Sequence, residues 1–554
     1  MKNLRTLVCL AVAVSILTAN VVSQVPEKEK VITGAERAFE MAVKAHVAPG
    51  PGCAVGVSLN GESVFEKAFG LAEMEHNVPN TAQTIFESGS VAKQFVAAAL
   101  VLLQNERKLS IDDPVRKYIP ELPDYGSPLT IRHLLNHTAG LRDWGSVMAL
   151  TGAGRGDRVI TQAIALDVIY RQKGLDFKPG DEYSYSNSGY QLATEIVERV
   201  SKQKFSAFTE ERFFKPLAMT KTSWRDDHQR IVPGRAQGYS RQGANAPWQL
   251  NMPFMSVYGN GGMLTTVGDW LKWNAMLDSR SMGGALVEAL ETRGILNTGK
   301  AITYALGLQV GTYRGLRDVS HGGSTAGYQT FLARYPDQKV SVAVLCNGTS
   351  PSAGGLAASV TDEIFGPFPS PTPASAPESA KMADEQLSKF VGLWRHHTTR
   401  MPGRFTLDSG TLRFNGNPVR PMADGAIMMG QTRIEFKADK EGNLVSGEST
   451  NPDGTITRFY AEKEWTPTPR ELDAFAGDWY SEEAQATLTF AVEGNNAFLI
   501  QRPNTRLQLR PIYRDHFQTQ GYVIWVTRDR EGKIDRLHVG GSRMRDMFFE
   551  RVRK

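Results

Sequence analysis

Phe86-Glu-Ser-Gly-Ser-Val-Ala-Lys93 leads into an apolar run that continues to Leu103. The pattern predicts a helix from Val91 to Asn105 with Ser90 at its start. Residues three positions apart lie one turn along a helix, so the Lys93 amine can reach the Ser90 hydroxyl, where the helix dipole also favours negative charge. A neighbouring amine can take the proton of a serine as the serine attacks a carbonyl carbon. The segment therefore predicts a nucleophile, Ser90, beside its base.

The same spacing recurs in Ser201-Lys-Gln-Lys204, which follows a predicted helix and is flanked by charge. That setting is typical of a solvated loop, so the second copy is interpreted as structural.

A second chemical segment, Tyr185-Ser-Asn187, lies in a turn-rich stretch. A tyrosine held near a cationic lysine can act as a phenolate base, and an amide offers both a donor and an acceptor to a substrate peptide bond. Tyr258-Gly-Asn260 has the same form but is interpreted as a backbone turn before a helix capped near Thr266, with a place in the pocket wall left open.

The third segment, His321-Gly-Gly323-Ser324, precedes a predicted hairpin. Paired glycines let a ligand approach the backbone of an edge strand, and the amide hydrogens of Ser90 and Ser324 are suited to bind an oxyanion. His538-Val-Gly540 resembles this motif but has no serine motif near it, which favours a strand residue. The candidate catalytic residues are thus Ser90, Lys93 and Tyr185, and the candidate substrate-binding residues are Asn187, His321, Gly323 and Ser324.

At 554 residues the chain is too long for one core. The proline-rich stretch 366–377 indicates a stiff spacer, placed at 367–386, between a catalytic domain at 34–366 and two β units at 387–465 and 470–554. The two units repeat one pattern: Leu387, Phe390, Gly392 and Trp394 recur as Leu472, Phe475, Gly477 and Trp479.

The catalytic segment has strands at both ends and helices between them. Hairpins are predicted at Cys53–Phe69 around Asn60-Gly61 and at Tyr328–Cys346, with helices at Ile131–Asn136 and Gln191–Val200. The predicted fold class is α/β (α+β), an antiparallel sheet flanked by helices, followed by all-β barrel-like units.

Residues 1–23 have the pattern of a signal peptide, with a positive start, an apolar stretch and small residues at the exit. The chain is therefore expected to be periplasmic or secreted and to keep no stable membrane span after cleavage, with an uncleaved N-terminal helix as the alternative. Loss of Lys2 and Arg5 lowers the formal net charge from +5 to +3, too little to indicate nucleic acid. Cys53 and Cys346 are expected to be buried free thiols, with a disulfide as the alternative.

The three chemical segments, together with 129–141 and 261–269, resemble the serine β-lactamase and penicillin-binding protein superfamily. The likeness covers roughly residues 34–366 and is to the branch of class C β-lactamases, D-alanyl-D-alanine carboxypeptidases, D-aminopeptidases and related esterases.

The resemblance implies an acyl-enzyme route without a cofactor. It implies that Ser90 attacks an amide, ester or lactam carbonyl, that Lys93 and Tyr185 shuttle the proton, and that Asn187 orients the acyl side chain. The amides of Ser90 and Ser324 would form the oxyanion hole.

The strand motif His321-Gly-Gly323 replaces the Lys-Thr-Gly usual in class C β-lactamases, which argues against efficient antibiotic hydrolysis. It is similar to D-aminopeptidases, in which added barrels shape access to the site. The resemblance implies a small-molecule or peptide substrate. D-amino-acid peptides or amides are the preferred class, and peptidoglycan-derived carboxypeptidase substrates and simple esters are the next candidates. The oligomeric state is left open.

Two rival hypotheses are weighed. His133 and His137, four positions apart, suggest a metal hydrolase. Zinc proteases carry an acidic residue between such histidines, whereas two leucines lie there in this chain, so no metal is expected. His396-His397 is similarly interpreted as a polar strand edge. A catalytically silent penicillin-recognising sensor is disfavoured because Ser90, Lys93 and Tyr185 are all present.

Overall fold

A six-stranded antiparallel sheet occupies the centre of the N-terminal part of the chain in the computed structural model. Its strands are β1 Cys53–Leu59, β2 Glu62–Phe69, β3 Gln309–Tyr313, β4 Leu316–Thr325, β5 Tyr328–Tyr335 and β6 Val340–Cys346. They lie in the order β3-β4-β5-β6-β1-β2, so strands from the two ends of the segment meet between β6 and β1. Both predicted hairpins are present, and the first turns at Asn60 and Gly61, whose φ angles are positive as a type I′ turn requires.

The structure describes residues 24–152, 158–243, 245–368, 382–430, 432–450, 456–503 and 505–553. The predicted signal peptide, 1–23, lies outside the described residues, as does most of the predicted spacer. Among the residues described, no helix is long and apolar enough to cross a bilayer.

Helices cover both faces of the sheet. The longer ones are α1 Lys28–Ala45, α2 Lys93–Asn105, α3 Asn187–Ser201, α4 Val267–Ser279 and α5 Ala353–Phe365. Apolar residues of α1 and α5 pack on one face, and α2, α3 and α4 belong to the core on the other. Helix α2 is buried on nearly all sides, as its continuous apolar run predicts. The predicted fold class is confirmed.

Shorter elements connect these helices and strands. The short helices are Ile131–Leu135, Trp144–Ala149, Gln162–Tyr170, Phe205–Thr209, Gly284–Glu291, Asp384–Ser388 and Pro469–Asp473, with 3₁₀ turns at Gly89–Ala92 and Val115–Lys117 and a π turn at Glu210–Phe214. The short strands are Leu71–Glu73, Val78–Pro79, Phe86–Glu87, Ile160–Thr161, Ser223–Trp224, Tyr239–Ser240, Gln249–Leu250, Met255–Ser256 and Met263–Thr265.

The helix after Ser90 begins two residues later than predicted. Ser90 lies in the 3₁₀ turn Gly89–Ala92, and α2 starts at Lys93. Helix α3 begins earlier than predicted, at Asn187, because the Ser186 side chain accepts a hydrogen bond from the Ser188 amide and caps the helix.

The prediction of two free thiols is wrong, because Cys53 and Cys346 form a disulfide. The two residues are directly opposite each other on β1 and β6, so their side chains leave the sheet on the same face. They are 293 positions apart in the sequence, and the strand register that joins them is not visible in either strand alone.

The first C-terminal β unit is a nine-stranded antiparallel sheet. Its strands are Gly392–His396, Pro402–Asp408, Thr411–Phe414, Asn417–Pro418, Arg420–Pro421, Ile427–Met429, Thr432–Ala438, Leu444–Thr450 and Ile456–Glu462. The two edge strands, Asn417–Pro418 and Arg420–Pro421, are neighbours in the sequence, so the sheet curls until its edges meet at Val419.

The second unit is a closed eight-stranded barrel. Its strands are Gly477–Ser481, Ala486–Glu493, Asn496–Gln501, Thr505–Pro511, His516–Thr519, Tyr522–Arg528, Ile534–Gly541 and Met544–Arg551. The sequence repeat corresponds to a structural one: the Trp394 indole donates to the Phe390 carbonyl, and the Trp479 indole donates to the Phe475 carbonyl, both at 3.0 Å.

The closed barrel packs against the N-terminal part of the chain through buried charges. Arg142 donates to Glu483 at 3.0 Å, and the Lys173 amide donates to the same carboxylate at 2.8 Å. The last barrel strand adds a further contact, because the Arg545 amide donates to Asp176. Because these charged groups are buried with partners, separating the two parts would leave them unpaired.

We expect the Cys53–Cys346 disulfide to remain intact in the purified protein. Peptide mapping without reductant should recover the peptides containing Cys53 and Cys346 as one linked species, which separates after reduction. Replacing both cysteines with serine should lower the free energy of unfolding by about 2–4 kcal/mol. Recovery of both peptides alkylated without reductant would contradict the pairing.

Candidate active site

A cleft of about 680 Å³ opens between the start of α2, strand β4 and the closed barrel. Its lining includes Ser90, Tyr185, Asn187, Asn260, His321, Gly323, Ser324 and Arg543. Six of the seven candidate site residues thus line one cleft, and the seventh, Lys93, lies directly beneath Ser90. Sequence segments separated by more than two hundred positions are brought together here.

Two glycines allow the turn that carries Ser90 to lie against strand β4. Gly89 has a positive φ of 52°, and a Cβ on it would stand 2.5 Å from the Ser324 amide nitrogen. A Cβ on Gly323 would stand 2.1 Å from the Ser88 carbonyl oxygen. Any side chain at either position would separate the turn from the strand. The Ser90 and Ser324 backbones therefore lie side by side at one end of the cleft.

Lys93 is fully buried, and its ammonium group faces oxygen atoms. Its Nζ lies 3.0 Å from Ser90 Oγ, 2.9 Å from Asn187 Oδ1 and 2.7 Å from the Asn260 carbonyl oxygen. The two carbonyl oxygens can only accept hydrogen bonds, whereas the serine hydroxyl can accept or donate. One hydrogen can therefore pass between Oγ and Nζ while the other two hydrogen bonds stay in place.

Asn187 is held by Asp143, a residue that the sequence analysis did not single out. Asp143 Oδ2 accepts from both the backbone amide and the side-chain Nδ2 of Asn187, each at 2.8 Å. This fixes the Asn187 amide so that its Oδ1 faces Lys93. Asp143 is itself held from the barrel side, because its amide donates to the Arg543 carbonyl at 2.9 Å.

Tyr185 lies in a cluster of buried rings around Lys93. Lys93 Nζ is 4.9 Å from the centre of the Tyr185 ring, and the His137 ring packs on the same ring with centroids 4.0 Å apart. Burial raises the pKa of Tyr185 well above its usual value, and its interaction with the Ser90 hydroxyl opposes this only in part. Burial therefore favours the neutral phenol at Tyr185 over the phenolate that the sequence left open.

His321 is buried and fully bonded. Its Nδ1 faces the Gly322 carbonyl at 2.6 Å and its Nε2 lies 2.9 Å from the Tyr304 hydroxyl. A carbonyl only accepts, so Nδ1 carries the hydrogen and Nε2 accepts from Tyr304. Burial, together with the positive charge of Lys93, lowers the pKa of His321 to about 3. The strand motif therefore presents a neutral ring to the cleft.

Two of the three look-alike motifs contribute no residue to the cleft lining. Ser201 ends helix α3 and accepts from the Gln203 amide. His538 lies in strand Ile534–Gly541, as predicted. In the third motif Tyr258 donates to Glu198, whereas Asn260 lines the cleft and accepts from Lys93, so this turn forms part of the pocket wall.

The histidines of the metal hypothesis have structural partners. His133 Nδ1 accepts from the Thr130 amide in a capping box, and His137 Nδ1 accepts from the Ser186 amide. Among the described residues, the one group of carboxylates and histidine close enough to share an ion is Glu73, Glu75 and His76, and none of the three lines the cleft.

Two site residues gave little or no signal in the sequence. Asp143 precedes a short helix and caps it, since Asp143 Oδ1 accepts from the Ser146 amide, and an aspartate in such a position is typical of a cap rather than of a site. Arg543 comes from the closed barrel, and its approach to Tyr185 at 4.8 Å from ring centre depends on how the barrel docks.

Comparison with known proteins gives relatives over almost the whole chain. The chain is 25% identical over 550 residues to a D-aminopeptidase of Gluconobacter oxydans. The alignment covers 93% of this chain and 98% of that protein. It is 30% identical over 307 residues to penicillin-binding protein 4* of Bacillus subtilis, covering 52% of this chain and 66% of that protein.

Among solved structures, the octameric penicillin-binding protein homologue from Pyrococcus abyssi matches with a TM-score of 0.54 and 22% identity. The match covers 86% of this chain and 99% of that one, and it shows a shared fold. The family model described as Beta-lactamase matches residues 39–363, more than half of the chain. The segment that it matches contains Ser90, Lys93, Tyr185 and His321, and the chain belongs to the Beta-lactamase family of serine hydrolases.

Proposed function

We propose that this serine hydrolase cleaves amide bonds next to D-amino acids through an acyl-enzyme on Ser90. The observation that carries the proposal is the 3.0 Å contact between Ser90 Oγ and the buried Lys93 Nζ at the floor of the cleft. The near full-length similarity to a D-aminopeptidase supports the substrate class. The predicted signal peptide extends the proposal to a periplasmic or secreted enzyme.

Lys93 is the residue placed to take the Ser90 proton. Its hydrogen bonds to Asn187 and Asn260 hold Nζ in position, so its lone pair, once unprotonated, points at the hydroxyl. Ser90 Oγ then forms a bond to the substrate carbonyl carbon as its proton passes to Nζ. The developing oxyanion faces the backbone amides of Ser90 and Ser324.

Tyr185 is placed to pass the proton onward. Because burial keeps the phenol neutral, its hydroxyl can donate to the leaving nitrogen while it recovers from Lys93 the proton that Ser90 gave up. The carbon–nitrogen bond breaks and the amine leaves. Water then hydrolyses the ester, which releases the acid and restores the Ser90 hydroxyl.

A D-alanyl carboxypeptidase is the nearest alternative, since it uses the same acyl-enzyme steps. A β-lactamase is less favoured because His321 is neutral where a lysine would bind the lactam carboxylate. An esterase uses the same nucleophile on a better leaving group. A non-catalytic penicillin-recognising protein is distinguished by an adduct that forms on Ser90 and is not released.

Ser90→Ala should abolish labelling by a fluorophosphonate. In intact-mass spectrometry the wild-type chain should gain one adduct, because only a serine with its proton removed attacks phosphorus readily. Ser201→Ala is the matched control, since it alters the other Ser-x-x-Lys motif and should label like wild type. Equal labelling of the Ser90→Ala variant and wild type would refute the assignment of the nucleophile.

Asp143→Ala should lower kcat for a D-alanyl amide about 100-fold and change KM little, because the Asn187 amide loses the acceptor that orients it toward Lys93. Asp124→Ala, which removes an exposed carboxylate paired with Arg116, should leave both constants unchanged. The folded fraction is measured by circular dichroism. A loss of kcat no larger than the loss of folded protein would show that Asp143 only supports the fold.

Acid should destabilise the protein partly through His321. Its pKa of about 3 in the fold is below the ordinary value of 6.5, so the unfolded chain binds more protons between those values and stability falls as the pH drops through that window. From pH 7 to pH 5 the loss is about 2 kcal/mol for this histidine. Urea unfolding of His321→Gln should show a correspondingly smaller loss than wild type. Equal pH dependence in the two proteins would contradict the buried neutral ring.

A further inference from the structure

The cleft has a charge pattern that the proposed reaction does not use. Arg543 is the one charged side chain among the residues that line the cleft when His321 is neutral, and no carboxylate is among them. Lys93 lies below the floor and faces Ser90 and two carbonyls. An anionic group entering the cleft would therefore meet a single cation and no repelling charge.

The Arg543 side chain has no polar partner within the described part of the chain. It lies over the Tyr185 ring at 4.8 Å and makes no hydrogen bond or ion pair there, and it is open to solvent. Other arginines at the same junction do have partners: Arg142 binds Glu483 at 3.0 Å and Arg545 binds Glu182 at 2.8 Å. The guanidinium of Arg543 is thus available to a ligand in a region where neighbouring cations are paired.

The backbone at Arg543 is nevertheless fixed. Its carbonyl accepts from the Asp143 amide at 2.9 Å, Met544 beside it is buried, and the Arg545 amide donates to Asp176. A side chain on an anchored backbone loses less freedom when it binds than one on a mobile loop. The barrel therefore holds a planar, permanently charged donor at the mouth of the cleft, which suits a carboxylate.

The location of Arg543 indicates which part of a substrate it meets. Tyr185 is beside Ser90 where the proposed reaction protonates the leaving nitrogen, and Arg543 lies on the ring of that tyrosine. In a peptide whose last residue is the leaving group, the carboxylate is attached one carbon away from that nitrogen. The leaving residue's carboxylate and the guanidinium therefore fall on the same side of the scissile bond.

We propose that Arg543 of the closed barrel binds the free carboxylate of the leaving residue. The preferred substrates are then short D-amino-acid peptides cleaved at their C-terminal bond, rather than the corresponding carboxamides. This inference rests on the proposed function and adds the substrate class to it. It also assigns the barrel a residue in the substrate site.

Two substrates that differ only in charge test the proposal: D-alanyl-D-alanine and its C-terminal amide. The wild-type enzyme should have the higher kcat/KM for the free acid. Arg543→Gln should lower kcat/KM for the acid about 10- to 100-fold more than kcat/KM for the amide, mainly through KM. Arg536→Ala is the matched control, since that arginine lies on the outer face of the same barrel beside Phe548 and Glu550.

A binding measurement separates this inference from the proposed function. Calorimetry with Ser90→Ala, which needs no turnover, should give tighter binding of the acid than of the amide, and adding Arg543→Gln should remove the difference. Equal losses for acid and amide would overturn the inference and assign Arg543 a structural role. Charge-dependent binding without hydrolysis by the wild-type enzyme would support the inference while overturning the proposed function.

Discussion

The burial of the Lys93 ammonium is the constraint on which the site depends. A cation taken out of water is costly unless oxygen atoms replace the lost hydration. Here the Asn187 side chain and the Asn260 carbonyl supply two of them, and Ser90 Oγ is the third atom within reach. The requirement to stabilise a buried charge therefore also places the amine against the nucleophile.

The residues that hold Lys93 are themselves held in place by neighbouring groups. Asn187 faces Lys93 because Asp143 holds both of its donors, and Asp143 is held in turn by the Arg543 carbonyl of the closed barrel. On the opposite side, Gly89 and Gly323 let the turn that carries Ser90 touch strand β4. The barrel is thus connected to Ser90 through the successive side chains of Asp143, Asn187 and Lys93, and it supplies Arg543 to the cleft lining.

The parts of the molecule that follow local rules were predictable from the sequence. The Asn60-Gly61 turn, the apolar helix after Ser90 and the repeat that begins at Leu387 each carry their signal within a few residues. The cysteine pairing was predicted wrongly because it depends on a register between strands 293 positions apart. Asp143 gave no functional signal because its contact with Asn187 depends on tertiary packing, and Arg543 gave none because its position over Tyr185 depends on the docking of the barrel. The protonation state of Tyr185 likewise depends on burial, which its motif does not encode.

The most direct test of the account is to locate the covalent intermediate. The enzyme is mixed with a D-alanyl amide, quenched in acid within the first turnovers and digested with pepsin, and the peptides are fragmented in a mass spectrometer. The account predicts a D-alanyl group on Ser90, resolved from the nearby Ser88. Turnover that proceeds with the acyl group on another residue, or with none on the chain, would contradict it.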